Sequence, residues 1–195
     1  MKYLIKVKLS KNAIHDLTPL TRNPQIQYLD IGANQISDIT PIGSLHNLVS
    51  LVANRNQINN LTPLEHLHKL QLLNLSYNYI KDINPLKNLS ALENLNLNNN
   101  KIKDISPLNQ LHNLKNLNFM SNKVEDVSPL HSLSGLQELN FPDNKVVYFS
   151  PLLGLKNLLD IYAFGNPSLD CPNGDVLQLH DGNIRCQNGW IAPKK

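Results

Sequence analysis

Leu92-Glu93-Asn94-Leu95-Asn96-Leu97-Asn98-Asn99-Asn100-Lys101-Ile102-Lys103-Asp104-Ile105-Ser106-Pro107-Leu108 holds the pattern from which the rest of the chain is read. Leucine and polar residues alternate from Leu95 to Leu97, the period of a short strand with one face buried. Asn100 then marks a turn, and Ser106-Pro107 opens a second short element. The same order recurs every 22 positions. Leu92 belongs to the row Leu4, Ile26, Leu48, Leu70, Leu92, Leu114, Leu136 and Leu158. Three residues later stand Val7, Leu29, Leu51, Leu73, Leu95, Leu117, Leu139 and Ile161. Eight residues after each row-one position comes Asn12, Asn34, Asn56, Asn78, Asn100, Asn122, Asn144 or Asn166. Fifteen after comes Pro19, Pro41, Pro63, Pro85, Pro107, Pro129 or Pro151. Four registers at one period identify a repeat architecture in which each unit buries its apolar face against its neighbours.

Stacking the LxxLxL strands at ~4.8 Å gives a parallel sheet with one strand per coil. The repeated asparagine stands where the chain leaves the sheet. Its side chain is expected to bond backbone groups of its own turn and of the next coil, so that the eight form a ladder. Thr18-Pro19, Thr40-Pro41, Thr62-Pro63, Asn84-Pro85, Ser106-Pro107, Ser128-Pro129 and Ser150-Pro151 read as N-caps with proline in the first turn. Leu64 and Leu67, or Leu108 and Leu111, are spaced for one 3₁₀ or α turn. Narrow return segments behind a sheet predict gentle curvature with the strands on the concave side.

The residues from Leu92 to Leu108 resemble the 22-residue leucine-rich repeats of bacterial internalins, and are similar to those of a leucine-rich-repeat regulatory subunit of protein phosphatase 1. The resemblance covers residues 4–166. It implies a leucine-rich-repeat solenoid that binds proteins through its concave face and has no catalytic role of its own.

Two parts are expected: leucine-rich repeats over 1–166, seven complete and an eighth partial, and a capping segment over 167–195. Lys6 and Lys8 alternate with Val7 and Leu9 on the first strand, where lysine discourages edge-to-edge pairing. Near the other end, 176–180 and 183–186 flank Asp181-Gly182, a tight-hairpin signal. This hairpin and Trp190 are expected to cover the last coil. Cys171 and Cys186 flank it at a spacing that suits a disulfide worth roughly 3 kcal/mol. Two separate thiols in a reducing compartment is the other reading. Lysines interrupt the first nine residues too often for a secretory leader. The expected location is therefore the cytoplasm, or outside the cell by a route without a recognisable signal.

The chain has 195 residues, 41% of them hydrophobic, and a formal charge of +3, which argues for a packed core and against disorder. That charge is too small to suggest nucleic acid, and no apolar run is long enough to span a membrane. No phosphate-binding loop, dinucleotide fingerprint, nucleophile elbow or zinc helix is present. No cofactor, metal or catalytic residue is expected. His46, His68 and His112 share one convex position and read as solvated surface. Asp16, Asp38, Asp82, Asp104 and Asp126 recur one per coil, with Asn60 in their place in the third repeat. They are read as acceptors for N–H groups at the turn or helix start.

A partner would meet the outward strand positions and those just after. The first candidate cluster is Tyr28, Asp30, Val52, Arg55, Leu72 and Tyr77, a mixture of aromatic, aliphatic and arginine side chains that interface hot spots favour. The second, on repeats five to seven, holds asparagines such as Asn94, Asn96, Asn116 and Asn118 with Met120, Glu138 and Asp143, and ends in Tyr162 and Phe164; Asn74 on the fourth repeat is a further partner-binding candidate. The row Asn74, Asn96, Asn118, Asn140 also reads as a solubilising side-chain ladder. The expected function is protein binding by a monomeric module, as an intracellular adaptor or a bacterial effector. The alternative is a carbohydrate or other ligand on the asparagine and aromatic face.

Overall fold

The computed structural model describes residues 4–167, 177–180 and 183–186, the last two segments by their backbone. Eight three-residue strands form one parallel sheet in chain order: β1 (Lys6–Lys8), β2 (Tyr28–Asp30), β3 (Ser50–Val52), β4 (Leu72–Asn74), β5 (Asn94–Asn96), β6 (Asn116–Asn118), β7 (Glu138–Asn140) and β8 (Asp160–Tyr162). Every neighbouring pair is offset by one repeat, so Tyr28 faces Ser50, Ser50 faces Leu72, and Leu72 faces Asn94. A one-residue slip would turn each buried central residue outward, which is why the register holds. Return segments are single 3₁₀ turns, from Thr18–Arg22 to Ser150–Gly154. The molecule is thus a leucine-rich-repeat solenoid with its sheet on the concave side.

The core is one continuous column of leucine, isoleucine and valine between sheet and return turns. Toward the C-terminal end it changes composition. Phe119 and Phe141 stack at 5.3 Å, and Phe149 meets Phe141 edge-on at 5.8 Å. Leu4, by contrast, is exposed.

The repeated asparagines do form the ladder, but they reach the preceding coil rather than the next. Asn100 Nδ2 donates to the carbonyls of Leu97 (3.0 Å) and Asn98 (3.2 Å) in its own turn and of Leu75 (3.0 Å) one coil back. Its Oδ1 accepts the Ile80 N–H at 3.0 Å, also one coil back. Asn34, Asn56, Asn78, Asn122, Asn144 and Asn166 repeat this arrangement. Asn12 bonds only Leu9 and Ser10 and is exposed.

The residue before each ladder asparagine adopts a left-handed backbone: Lys11, Ala33, Arg55, Tyr77, Asn99, Ser121, Asp143 and Gly165, with φ between 52° and 70°. This conformation swings the chain off the sheet and aims the asparagine inward. Asn, Asp and Gly tolerate it well; lysine, arginine and tyrosine do not. The fold therefore imposes it on coils 1 to 4 and, at Ser121, on coil 6 against local preference.

The capping expectation is corrected. Thr18, Thr40, Ser106 and their equivalents begin the 3₁₀ turns, and no side-chain cap bond is made from the residue before them. The acceptor is the residue two positions earlier. Asp16 Oδ1 takes the Thr18 N–H at 2.8 Å, and Asp38, Asn60, Asp82, Asp104 and Asp126 do the same in their coils. Ser106 and Ser128 turn their hydroxyls back to donate to Asp104 and Asp126. The bond from Thr18 lowers the Asp16 carboxyl below the usual carboxylate value, and the bond from Thr40 lowers Asp38 likewise.

Beyond the solenoid, β9 (Leu177–His180) and β10 (Asn183–Cys186) pair antiparallel, Asn183 opposite His180. That is the hairpin expected around Asp181-Gly182. Cys171, the Cys186 side chain and Trp190 lie outside what is described, as does the covering of the last coil by Trp190.

Candidate functional site

The two outward rows of the sheet run in strict register across all eight coils. One row is Lys6, Tyr28, Ser50, Leu72, Asn94, Asn116, Glu138 and Asp160; the other is Lys8, Asp30, Val52, Asn74, Asn96, Asn118, Asn140 and Tyr162. Between them the central residue of every strand from β2 to β8 points into the core.

Over β4 to β7 these rows shape a shallow groove of about 240 Å³. It is lined by the outward side chains of Leu72, Asn74, Asn94, Asn96, Asn116, Asn118 and Glu138, and by the strand backbone at Leu73, Leu95 and Leu117, whose own side chains are buried behind it. Of the predicted site residues it gathers Leu72, Asn74, Asn96 and Asn118. The others lie around it. Tyr28, Asp30 and Val52 are on the sheet toward the N-terminal end, and Tyr162 and Phe164 stand exposed at the C-terminal end. Met120 is half-buried beyond β6.

The strand asparagines are not a simple ladder. Asn74, Asn96 and Asn118 each turn Oδ1 to the N–H two residues on, in Ser76, Asn98 and Met120 (3.1 Å each). Asp30 does the same with Gly32. These Asx turns end the strands and leave the amide NH₂ groups facing the groove. Asn140 has Pro142 at the corresponding place, which carries no N–H, and its Oδ1 has no donor among the described residues. The cross-coil bond is one row over, where Asn116 donates to Asn94 Oδ1 at 2.6 Å.

Arg55 and Tyr77 stand at the rim, in the turns after β3 and β4. The Arg55 guanidinium lies 4.6 Å from the Tyr77 ring centroid, a cation–π pair between adjacent coils. A second such pair, Lys101 over Tyr79 at 4.8 Å, extends the rim. The sequence reading missed Tyr79 and Lys101. Their one-repeat offset, the same as that of Arg55 and Tyr77, was the available signal. Asn94, Asn116 and Glu138, expected on the outward strand positions, stand in one row with Leu72.

On the convex side His46, His68 and His112 are exposed, and the rings that meet are His66 and His68 at 6.1 Å. Among the described residues no three histidine, cysteine or carboxylate side chains come together as metal ligands, and no helix is long and apolar enough to cross a membrane.

A family model for leucine-rich repeats (two copies) matches residues 90–132. No curated protein matches the chain. Among solved structures, the plant peptide hormone receptor RGFR1 in complex with RGF2 is similar at TM-score 0.66 and 22% identity, covering 77% of this chain and 26% of that one; this likeness is one of fold. Internalin F of Listeria monocytogenes 4b F2365 superimposes with a TM-score of 0.80 at 33% identity, over 82% of this chain and 47% of its own, so this chain spans about half of it. Internalin C2 of the same strain gives 0.84 at 32% identity, over 86% of this chain and 74% of its own. On that coverage and identity, joined to the 22-residue repeat itself, the chain belongs to the internalin-like leucine-rich-repeat proteins.

Proposed function

We propose that this chain is a non-catalytic interaction module that receives a protein partner along its concave face, as a monomer, in an adaptor or effector role. The observation that carries this reading is the groove over β4 to β7, where Leu72 stands among five outward asparagines. Exposed tyrosine, arginine and phenylalanine stand at its ends and rim. Such a surface offers apolar contact at Leu72 and the exposed rings, and hydrogen-bond donors that fix a partner's orientation. RGFR1, which shares the fold, was solved with RGF2 bound.

The test compares wild type with a Tyr28→Ala, Leu72→Ala, Tyr77→Ala variant and with Asn96→Lys in crosslinking capture followed by peptide mapping. Tyr28 and Tyr77 are exposed and Leu72 is only half-buried, so circular dichroism should show both variants folded. Crosslinks from a protein to the concave strands, lost in both variants, are the expected result. Crosslinks confined to the convex 3₁₀ turns, unaffected by either variant, would sink the reading. Retention on a glycan array, lost in the same variants, would replace it with the carbohydrate alternative.

A further inference from the structure

The concave face is polarised along its length. Coil 1 presents Lys6 and Lys8 on β1 and Lys11 in the next turn, all exposed. Coils 7 and 8 present Glu138 and Asp160, register neighbours on β7 and β8, and Asp143 in the turn between, also exposed. Over β4 to β6 the outward strand positions are Leu72 and five asparagines, without charge. The contrary charge on the strands is Asp30, opposite Lys8.

Seven steps of ~4.8 Å put the two ends about 34 Å apart, more than three Debye lengths at physiological salt. The ends therefore do not neutralise each other, and each selects its own counter-charge. Glu138 beside Asp160 is a like-charge pair on adjacent strands, an unfavourable neighbourhood. Neither makes an ion pair among the described residues. Exposed Tyr162 and Phe164 beside them offer ring faces on which a guanidinium can stack.

We propose that the face takes an extended segment of a protein partner in one direction only. The acidic portion lies over coil 1, the basic portion over coils 7 and 8, and uncharged residues run between them along the strand asparagines. At ~3.3 Å per residue, about ten residues span the distance. This rests on the concave-face reading above. A second copy laid antiparallel carries the inverse polarity too, but two concave surfaces meet only at their rims and leave the groove unfilled.

The experiment pans a displayed library of random twelve-residue peptides on the full chain, then measures enriched peptides by fluorescence anisotropy. Enriched sequences should carry Asp or Glu toward one terminus and Arg or Lys toward the other. Glu138→Lys with Asp160→Lys should weaken the best peptide at least tenfold, and changing its basic residues to glutamate should restore binding to that variant. Lys6→Glu with Lys8→Glu should be rescued in the same way by the opposite change. An empty library, enrichment of uncharged or singly signed peptides, or less than a twofold response to both reversals would overturn the proposal. Peptides lost in the Tyr28, Leu72, Tyr77 variant yet indifferent to charge reversal would overturn the polarity and leave the concave-face reading standing. Indifference to both would overturn both. A dimer in sedimentation that Glu138→Lys with Asp160→Lys disperses would give the face to a second copy instead.

Discussion

Two sets of asparagines occur in this solenoid, one in the turns and one on the strands, and the same side chain has opposite uses in them. From Asn56 to Asn166 the turn asparagines are buried, and each joins two coils through its amide and carbonyl. The strand asparagines at 74, 96 and 118 are only part-buried, bond locally through Oδ1, and keep NH₂ groups toward the groove. The difference comes from the backbone. A left-handed residue precedes the first kind and turns its side chain inward, whereas the pleat of the strand sends the second kind outward. A polar group surrounded by backbone serves stability; one on the outward face of the sheet remains available to a partner.

The largest effect should come from breaking the inward set. Asn100→Ala leaves the Ile80 N–H without its acceptor and takes one of two asparagine donors from the Leu75 and Leu97 carbonyls, which keep Asn78 and Asn122, and should destabilise the chain by about 2–4 kcal/mol in urea titration. A loss below about 1 kcal/mol would mean that water satisfies those groups as well as the amide does.

The outward set sharpens the contrast. Asn118→Ala removes the acceptor of the Met120 N–H and should cost about 0.5–1 kcal/mol. Asn140→Ala removes an oxygen that already lacks a donor, and should be close to neutral. Equal losses at the two positions, measured by the same titration, would show that Asx bonding is not what separates them.

Within the inward set, Asn12 is the internal control. It is exposed and has no bond to a preceding coil, so Asn12→Ala should shift the urea midpoint by no more than about 0.5 kcal/mol allows. A loss comparable to that at Asn100 would move the ladder's contribution from the inter-coil bonds to the turn itself.

The smallest effect concerns acid. Asp16 and Asp38 have carboxyls lowered by bonds from Thr18 and Thr40, so what they contribute is fully present above the unfolded-chain value near 4 and disappears as pH falls through the lowered one. Asn60 holds the Thr62 N–H without a titrating group. Amide exchange, corrected for its intrinsic pH dependence, should accelerate in acid at Thr18 and Thr40 but not at Thr62. Matching behaviour at all three would remove the carboxylates from the account.

The repeat, the strand positions and the role of the aspartates were legible because each follows from spacing along the chain. The N-cap expectation at Thr18 and its equivalents failed for a local reason. Threonine or serine before proline looks like a cap, yet here that residue is itself the first of the 3₁₀ turn, and its own N–H needs the aspartate two positions back. The direction of the asparagine bonds was not legible either, because period 22 is the same read toward either neighbour. The groove joins Leu72 and Asn74 of the fourth repeat with Asn94, Asn96, Asn116, Asn118 and Glu138 of the second predicted cluster. Composition by coil had divided what the register unites.

The sequence by itself determined the coil, its length, the face each leucine buries and the family, because apolar periodicity acts on every residue and leaves one register that buries all of them. Only the tertiary structure decided which carbonyls the asparagines hold, which residues take the left-handed turn, and where the concave face becomes a groove. Those depend on distances between coils 22 residues apart in sequence and ~4.8 Å apart in space, which no single repeat contains.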